Sequence, residues 1–353
     1  MPASTPISIQ LSAPYLIFLG DVSSMAFAKT ALGVVQWAPE SCVAQLRFPD
    51  CQVDAGLPDM SINEAAAAGA KSLLIGSAPV GGAIQENWIP SLLAAIEAGM
   101  DIISGLHTKL NDCPDLRAAA AKNHVRLIDV RVPPADLPIG NGQARSGKRL
   151  LTVGTDCSVG KKYTALAITQ ALKQQGVDCD FRATGQTGVM IAGSGMPIDA
   201  VVADFIAGAA EVLSPANNAD HWDIVEGQGS LFQPAYSGVS LGLLHGSQPD
   251  AIVVCHDPGR EHIIGCPDHA VPSVQQCIET NLQLGRLTNP NIRCVGVSVN
   301  TSTIAADKRA AVLSQLEAET GLPCVDPLVE GVEAIVDKLL ALDGSNSVSL
   351  ASA

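Results

Sequence analysis

Aromatic side chains are scarce in this 353-residue chain: three Trp, three Tyr and six Phe make up 3% of it. Alanine, valine, leucine and isoleucine must fill the core, which suits layered packing of helices on sheets. Basic residues are few as well, 21 Lys and Arg against 35 Asp and Glu, for a net charge of −14. Nucleic-acid binding draws on clustered Lys and Arg, so this balance argues against a nucleic-acid partner. Hydrophobic residues make up 47%, yet no apolar run is long enough to span a bilayer. Asp21, Lys29 and Asp50 interrupt the N-terminal third, and no basic amphipathic stretch points to a membrane surface. The N-terminus has no basic region followed by an apolar block, so it does not read as a signal peptide. The ten cysteines are scattered, with no Cys-x-x-Cys pair, in a chain too long to need disulfide staples. A reduced state and a cytoplasmic location are expected.

What is present begins at Leu150-Leu151-Thr152-Val153, an apolar run that leads into Gly154-Thr155-Asp156-Cys157-Ser158-Val159-Gly160-Lys161-Lys162 and then a helical pattern. Strand, glycine loop with lysine, and helix together make a phosphate cradle. Loop N–H groups point inward, the helix N-terminus adds partial positive charge, and the lysine adds a full one. The misfits are informative. A nucleotide-hydrolysing loop carries Ser or Thr after the lysine, and that hydroxyl holds Mg²⁺. Here Lys162 takes that place, and the loop is one residue longer than usual. A phosphate-bearing ligand is expected, ATP hydrolysis less so, and no metal.

Strands and helices alternate from end to end. Expected strands are 14–19, 42–48, 72–75, 101–104 and 125–130, then 149–153, 178–183, 223–226, 251–255 and 293–299. Helices are expected at about 25–35, 89–98 and 115–123, and Ser61 with Glu64 forms a capping box for a short one. Such alternation predicts an α/β fold with parallel sheets covered by helices. Residues 133–142, rich in Pro and Gly, are the linker candidate. The division expected is a Rossmann-like parallel sheet over 1–140 and a P-loop NTPase-like, doubly wound parallel sheet over 148–345. The tail from Asn346 to Ala353 is expected to fray.

Ligands in open α/β sheets sit at the carboxyl ends of strands. Thr184, Gln186 and Thr187 follow one such strand and offer hydroxyl and amide groups, or else form a polar turn that satisfies its own backbone. Asp223-Ile224-Val225-Glu226 delivers an acid to the same edge, able to hold Mg²⁺ or to act as a general base, or merely to cap a turn. His256 and Asp257, after the strand 251–255, are proton-transfer candidates, and Arg260 is suited to clamp a carboxylate or phosphate. Asn300 ends another strand and could read a nucleotide base or cap the next helix. His256, His262, Cys266 and His269 match no trusted zinc spacing. Cys157 is better read as a small loop residue than as a nucleophile.

The loop 154–161 together with Glu226-Gly227-Gln228-Gly229 resembles the phosphate loop and acidic strand of dethiobiotin synthetase and its relatives, where Thr follows the lysine. A closer resemblance spans nearly the whole chain. Arg182-Ala183-Thr184-Gly185-Gln186-Thr187-Gly188, Glu226-Gly227-Gln228-Gly229-Ser230-Leu231, His245-Gly246 and His256-Asp257-Pro258-Gly259-Arg260 look like a once-uncharacterised bacterial family that includes the D-glutamate N-acetyltransferases. That resemblance implies acetyl transfer from acetyl-CoA to the amine of D-glutamate, in D-amino-acid catabolism, by a homo-oligomeric enzyme. On it, Gly154, Thr155, Ser158, Val159, Gly160, Lys161, Lys162 and Asn300 would hold the CoA. Arg182, Thr184, Gln186, Thr187 and Arg260 would hold the amino acid, and Glu226, Asp257 or His256 would supply the base. The alternatives are an ATP- and Mg²⁺-dependent ligase or kinase, and a non-catalytic nucleotide or CoA sensor.

Overall fold

The structure, a computed structural model, describes residues 8–79 and 81–349. The extreme N-terminus read above for a signal peptide (1–7), Val80 and residues 350–353 lie outside them. The chain divides into two compact units, Met1–Ala135 with Gly185–Ala200, and Asp136–Thr184 with Val201–Ala353.

The first unit opens with β1 (Ile9–Gln10), β2 (Tyr15–Gly20), α1 (Lys29–Trp37), β3 (Cys42–Arg47), α2 (Ile62–Ala67), β4 (Ser72–Ile75), α3 (Ile89–Glu97), β5 (Asp101–Ser104), α4 (Pro114–Asn123) and β6 (Leu127–Asp129). Its five-stranded sheet runs β3-β2-β4-β5-β6, every pair parallel. All six residues of β2 are buried, as expected of a strand covered on both faces. Three of the rare aromatics meet here: Phe18 packs edge-on against Phe48 and against Trp88, with centroids 5.5 and 5.3 Å apart. The helix expected at 25–35 is split. A 3₁₀ turn over Met25–Phe27 stops at Ala28, whose N–H bonds back only three residues to Met25, and α1 starts afterwards. The Ser61 cap forms as a reciprocal capping box with Glu64.

The second unit runs β7 (Lys148–Gly154), α5 (Lys161–Gln174) and β8 (Cys179–Arg182). The next segment, α6 (Gln186–Ala192) and β9 (Ser194–Gly195), belongs to the first unit, where β9 pairs antiparallel with β1 and α6 packs on α1. The second unit resumes with α7 (Ile206–Leu213), β10 (Trp222–Val225), α8 (Ser237–Ser247), β11 (Ala251–His256), the hairpin β12 (His262–Ile263) and β13 (Cys266–Ala270), α9 (Val274–Gly285), β14 (Arg293–Val299), α10 (Ala306–Thr320), β15 (Cys324–Val325) and α11 (Glu333–Ser349). The tail expected to fray from Asn346 is thus helical through Ser349.

This unit's six-stranded sheet has the order β15-β14-β11-β7-β10-β8, all parallel. Burial along β7 is nearly continuous, so helices cover both of its faces. α5 lies against β7, β8 and β10 with α11 beside it, and α8 meets β7 in company with α7 and α9. The chain winds first to one side of β7 and then crosses to the other. Loops leaving β7 and its neighbours therefore diverge, which opens a crevice at the carboxyl ends of the central strands.

Candidate functional site

The crevice is built on three glycines, two that let chain segments approach closely and one that turns the backbone. At Gly227, just past β10, a Cβ would lie 1.6 Å from the Thr152 carbonyl oxygen, so only hydrogen fits. Its N–H donates to Thr152 Oγ1 at 2.9 Å, locking the end of β10 to β7. At Gly154 a Cβ would press on Val159 Cγ2 at 2.8 Å, which lets the loop fold back over its own strand. Gly160 takes φ 106° and turns the chain into α5.

Between them the loop is held from several sides. Thr155 N–H donates to the Cys255 carbonyl of β11, and its hydroxyl meets His256 Nδ1 at 3.1 Å. Ser230 Oγ donates to the Gly154 carbonyl at 2.8 Å. Lys161 is buried and donates Nζ to the Asp156 carbonyl at 2.8 Å. The backbone N–H groups of Ser158, Val159, Gly160, Lys161 and Lys162 have no acceptor among the described residues. Five such donors in a row at a helix N-terminus are an anion receptor.

Burial holds the Lys161 ammonium below its ordinary pKa. Burial lowers that of Lys162 too, with the Glu226 carboxylate acting in the opposite direction. Lys162 Nζ also stands 4.5 Å from the centre of the Tyr163 ring. Burial pushes the Cys157 thiol up, away from thiolate character. Desolvation holds His256 below the ordinary imidazole value, more than Asp257 raises it, so the ring is neutral at neutral pH.

Glu226 is nearly buried at the end of β10. Its carboxylate accepts the Thr184 N–H at 2.9 Å and its carbonyl accepts the Thr184 hydroxyl at 2.7 Å. Gln228 Nε2 donates to the same hydroxyl at 3.0 Å. Thr184 therefore joins the loops after β8 and β10. A small cavity of about 10 Å³ lies beneath, lined by Thr152, Gly154, Gly227, Ser230, Ser240 and Asn281 among others.

Three expectations change. Arg182, expected to hold a substrate carboxylate, turns along its strand instead. Its Nε donates to Asp223 at 2.6 Å and its Nη2 lies 3.2 Å from Asp180. Strand alternation puts Asp180 and Arg182 on one face, and Asp223 stands diagonally across on β10. Arg260, expected to clamp a ligand, donates Nη1 to Asp156 at 2.8 Å and to the Cys157 carbonyl at 2.6 Å. Asn300 uses Oδ1 to accept the Ser302 N–H at 3.1 Å, so it caps a turn ahead of α10. Gln186 and Thr187 start α6 in the first unit, where the Gln186 amide oxygen accepts from Arg131. Asp257 accepts the Gly259 N–H at 3.0 Å, 3.5 Å from Arg260.

Among the described residues one group has metal-ligand spacing, Asp180, His221 and Asp223, with ligand atoms within 4.8 Å of one another. The Arg182 guanidinium already pairs with both of its carboxylates. Gly238-Val239-Ser240-Leu241-Gly242 has the spacing of a serine-nucleophile elbow, but it lies within α8 rather than at a strand-to-helix turn. Ser240 Oγ there donates to the Gln228 carbonyl at 2.8 Å. Asp156 was overlooked as a site residue. Its signal was the charge conflict of a carboxylate inside an anion cradle, which demands a cation nearby.

Comparison with known proteins agrees with this architecture. Residues 138–336 match a domain of unknown function described as the DUF1611_C P-loop domain, and residues 47–133 match the DUF1611_N Rossmann-like domain. A D-glutamate N-acetyltransferase of Pseudoalteromonas sp is 49% identical over 331 residues, covering 94% of this chain and all of that protein. Another, of Tritonibacter scottomollicae, is 48% identical over 332 residues, with 94% and 100% covered. The crystal structure of a DUF1611 family protein from Anabaena variabilis superposes with a TM-score of 0.80 at 32% identity, covering 94% of this chain and 100% of that one. Both halves of the chain, and its fold as a whole, thus make it a member of the DUF1611 family.

Proposed function

We propose that the chain is an N-acetyltransferase that moves the acetyl group of acetyl-CoA onto the amine of D-glutamate, in D-amino-acid breakdown. The observation that carries this reading is the run of five unpartnered N–H groups from Ser158 to Lys162, at the head of a helix whose first two residues are lysines. CoA brings phosphates to such a receptor without calling for phosphoryl transfer. Lys162, standing where a Mg²⁺-binding hydroxyl would be, favours a phosphate-bearing carrier over a hydrolysed nucleotide. The activity named for the Pseudoalteromonas and Tritonibacter proteins supports the acceptor.

In this reading Gly154, Thr155, Ser158, Val159, Gly160, Lys161 and Lys162 hold the CoA phosphates. The ammonium of D-glutamate loses a proton to a base, and its nitrogen attacks the thioester carbonyl. The C–N bond forms first, the C–S bond breaks as the tetrahedral adduct collapses, and the CoA thiolate takes up the second proton that the nitrogen gives up. Glu226 is the first candidate base, because Thr184 N–H fixes its carboxylate beside the cradle. His256 is the second, because burial keeps its ring neutral and able to accept a proton. All ten cysteines are free thiols, which suits a reducing cytoplasm. Among the described residues no helix is long and apolar enough to cross a membrane.

The test is free-thiol release from acetyl-CoA in the presence of D-glutamate, with L-glutamate and ATP plus Mg²⁺ run in parallel. Thiol release that requires D-glutamate is the expected result. Phosphate release from ATP without thiol release would restore the ligase reading.

A further inference from the structure

Asp156 is out of place electrostatically. It has no solvent exposure and puts a negative charge inside a loop whose N–H groups await an anion. Its contacts account for it. Oδ1 accepts the Cys157 N–H at 2.6 Å, and Oδ2 accepts both Arg260 Nη1 and the Ile264 N–H at 2.8 Å. Arg260 also donates to the Cys157 carbonyl at 2.6 Å and reaches the Ser158 carbonyl at 3.5 Å. One guanidinium thus spans three consecutive loop residues.

The planar trans peptide makes this consequential, because C=O and N–H of one unit point in opposite directions. Drawing the Cys157 and Ser158 carbonyls toward Arg260 turns the N–H groups of Ser158 and Val159 to the other side of the loop. Those are two of the five unpartnered donors. Ser158 also sits at φ 56°, a left-handed conformation uncommon for a residue with a side chain, so outside contacts must hold it there. The brace itself is anchored. Ile264, at the turn of the β12–β13 hairpin, gives its N–H to Asp156 and accepts Gln233 Nε2 at 3.1 Å on its carbonyl. The Gln233 N–H donates to the Ser230 carbonyl, and Ser230 Oγ donates to Gly154. The ring of contacts closes on the loop where it began.

We propose that Arg260 and Asp156 are positioning residues that set the direction of the phosphate loop's N–H groups, and that Arg260 does not bind the amino-acid substrate. Nη1 gives close hydrogen bonds to Asp156 and the Cys157 carbonyl, and Nη2 reaches the Ser158 carbonyl and Asp257 at 3.5 Å, so the guanidinium's short contacts go to the loop. The inference deepens the acetyltransferase reading and rests on it for one of its two tests.

The first test is independent of any ligand. Arg260→Lys keeps the charge and loses the fork. In ligand-free protein it should raise amide hydrogen exchange at Cys157 and Ile264, both held by Asp156, by tenfold or more, with β14 unchanged. Exchange within twofold of the parent at both amides overturns the proposal, whatever the protein's substrate proves to be. Should Arg260→Lys fail to fold, Arg260→Gln serves as the second variant with the same criterion. The second test is kinetic. The KM for acetyl-CoA should rise about tenfold while the KM for D-glutamate stays within twofold. The reverse pattern, or no change in either, overturns the assignment. A parent enzyme that turns over no CoA ester would defeat the acetyltransferase reading and leave the exchange experiment to decide this one.

Discussion

Gly227→Ala puts the steric basis of the crevice to the test. The added methyl would sit 1.6 Å from the Thr152 carbonyl oxygen, 2.8 Å from its carbon and 3.0 Å from Lys161 Cδ. The first two are backbone atoms of the central strand, which cannot swing aside as a long side chain can. Relief requires β7 and the loop after β10 to part by more than 1 Å, a shift that also stretches the 2.9 Å bond from Gly227 N–H to Thr152 Oγ1. Overpacking in a fixed interior costs about 1–3 kcal/mol, and a strained or broken buried hydrogen bond adds about 1 kcal/mol. The expected loss is therefore about 3 kcal/mol in the second unit, which for a body of roughly 200 residues lowers its melting temperature by about 6–12 °C. Gly160→Ala is the control, since nothing lies within 4 Å of its Cβ position and only the left-handed φ of 106° opposes it. That substitution should cost about 1–2 kcal/mol. Differential scanning calorimetry of the three proteins compares them directly. If Gly227→Ala melted within 2 °C of the parent, or above Gly160→Ala, the close packing of β7 on the β10 loop would be wrong.

Lys161→Ala should weaken acetyl-CoA binding at least tenfold, about 1.4 kcal/mol, measured by titration calorimetry; unchanged affinity would remove the loop from the donor site. Glu226→Gln keeps the shape and the acceptor for Thr184 N–H, and should lower kcat by about 10²–10⁴, whereas full turnover would pass the role of base to His256. His256 has a folded pKa depressed below 6.5, so the unfolded chain binds the extra proton. Its contribution to stability is present above pH 6.5 and is lost as the pH falls through the depressed value. His256→Asn should flatten the denaturation midpoint against pH in that window, and an unaltered slope would show that the ring titrates alike in the folded and unfolded chain.

The parts of the site that lie along one stretch of chain were legible before the fold was known. Leu150 to Val153, the glycines at 154 and 160 and the lysines after them announce strand, cradle and helix by local pattern alone. The acid at the end of the next strand but one, Glu226, could be placed because parallel strands bring their carboxyl ends to one edge. Contacts between side chains from separate strands were less legible. Arg182 reads as a free cation until the pairing of β8 with β10 brings Asp223 within 2.6 Å of it. Asp180, on the same strand face two residues earlier, was the available hint. Arg260 looked like a ligand clamp because its partner, Asp156, lies more than a hundred residues away in the chain. The allegiance of residues 185–200 was hidden for another reason. Its helix has an ordinary apolar pattern, and nothing in such a pattern says which of two cores will receive it.

That allegiance has a consequence for how the protein comes into being. The first unit is complete only when α6 has packed on α1 and β9 has paired with β1. Both partners are encoded after the phosphate loop and β8. During synthesis, at about 5–20 residues per second, the first unit must wait several seconds past residue 135 for α6 and β9, although its five-stranded sheet is already encoded by residue 129. A fragment ending at the linker would leave β1 and one side of α1 unmet, and no single cut of the chain separates two intact bodies. The first unit is thus finished only after the phosphate loop of the second has been made, and a cut at the linker leaves it without α6 and β9.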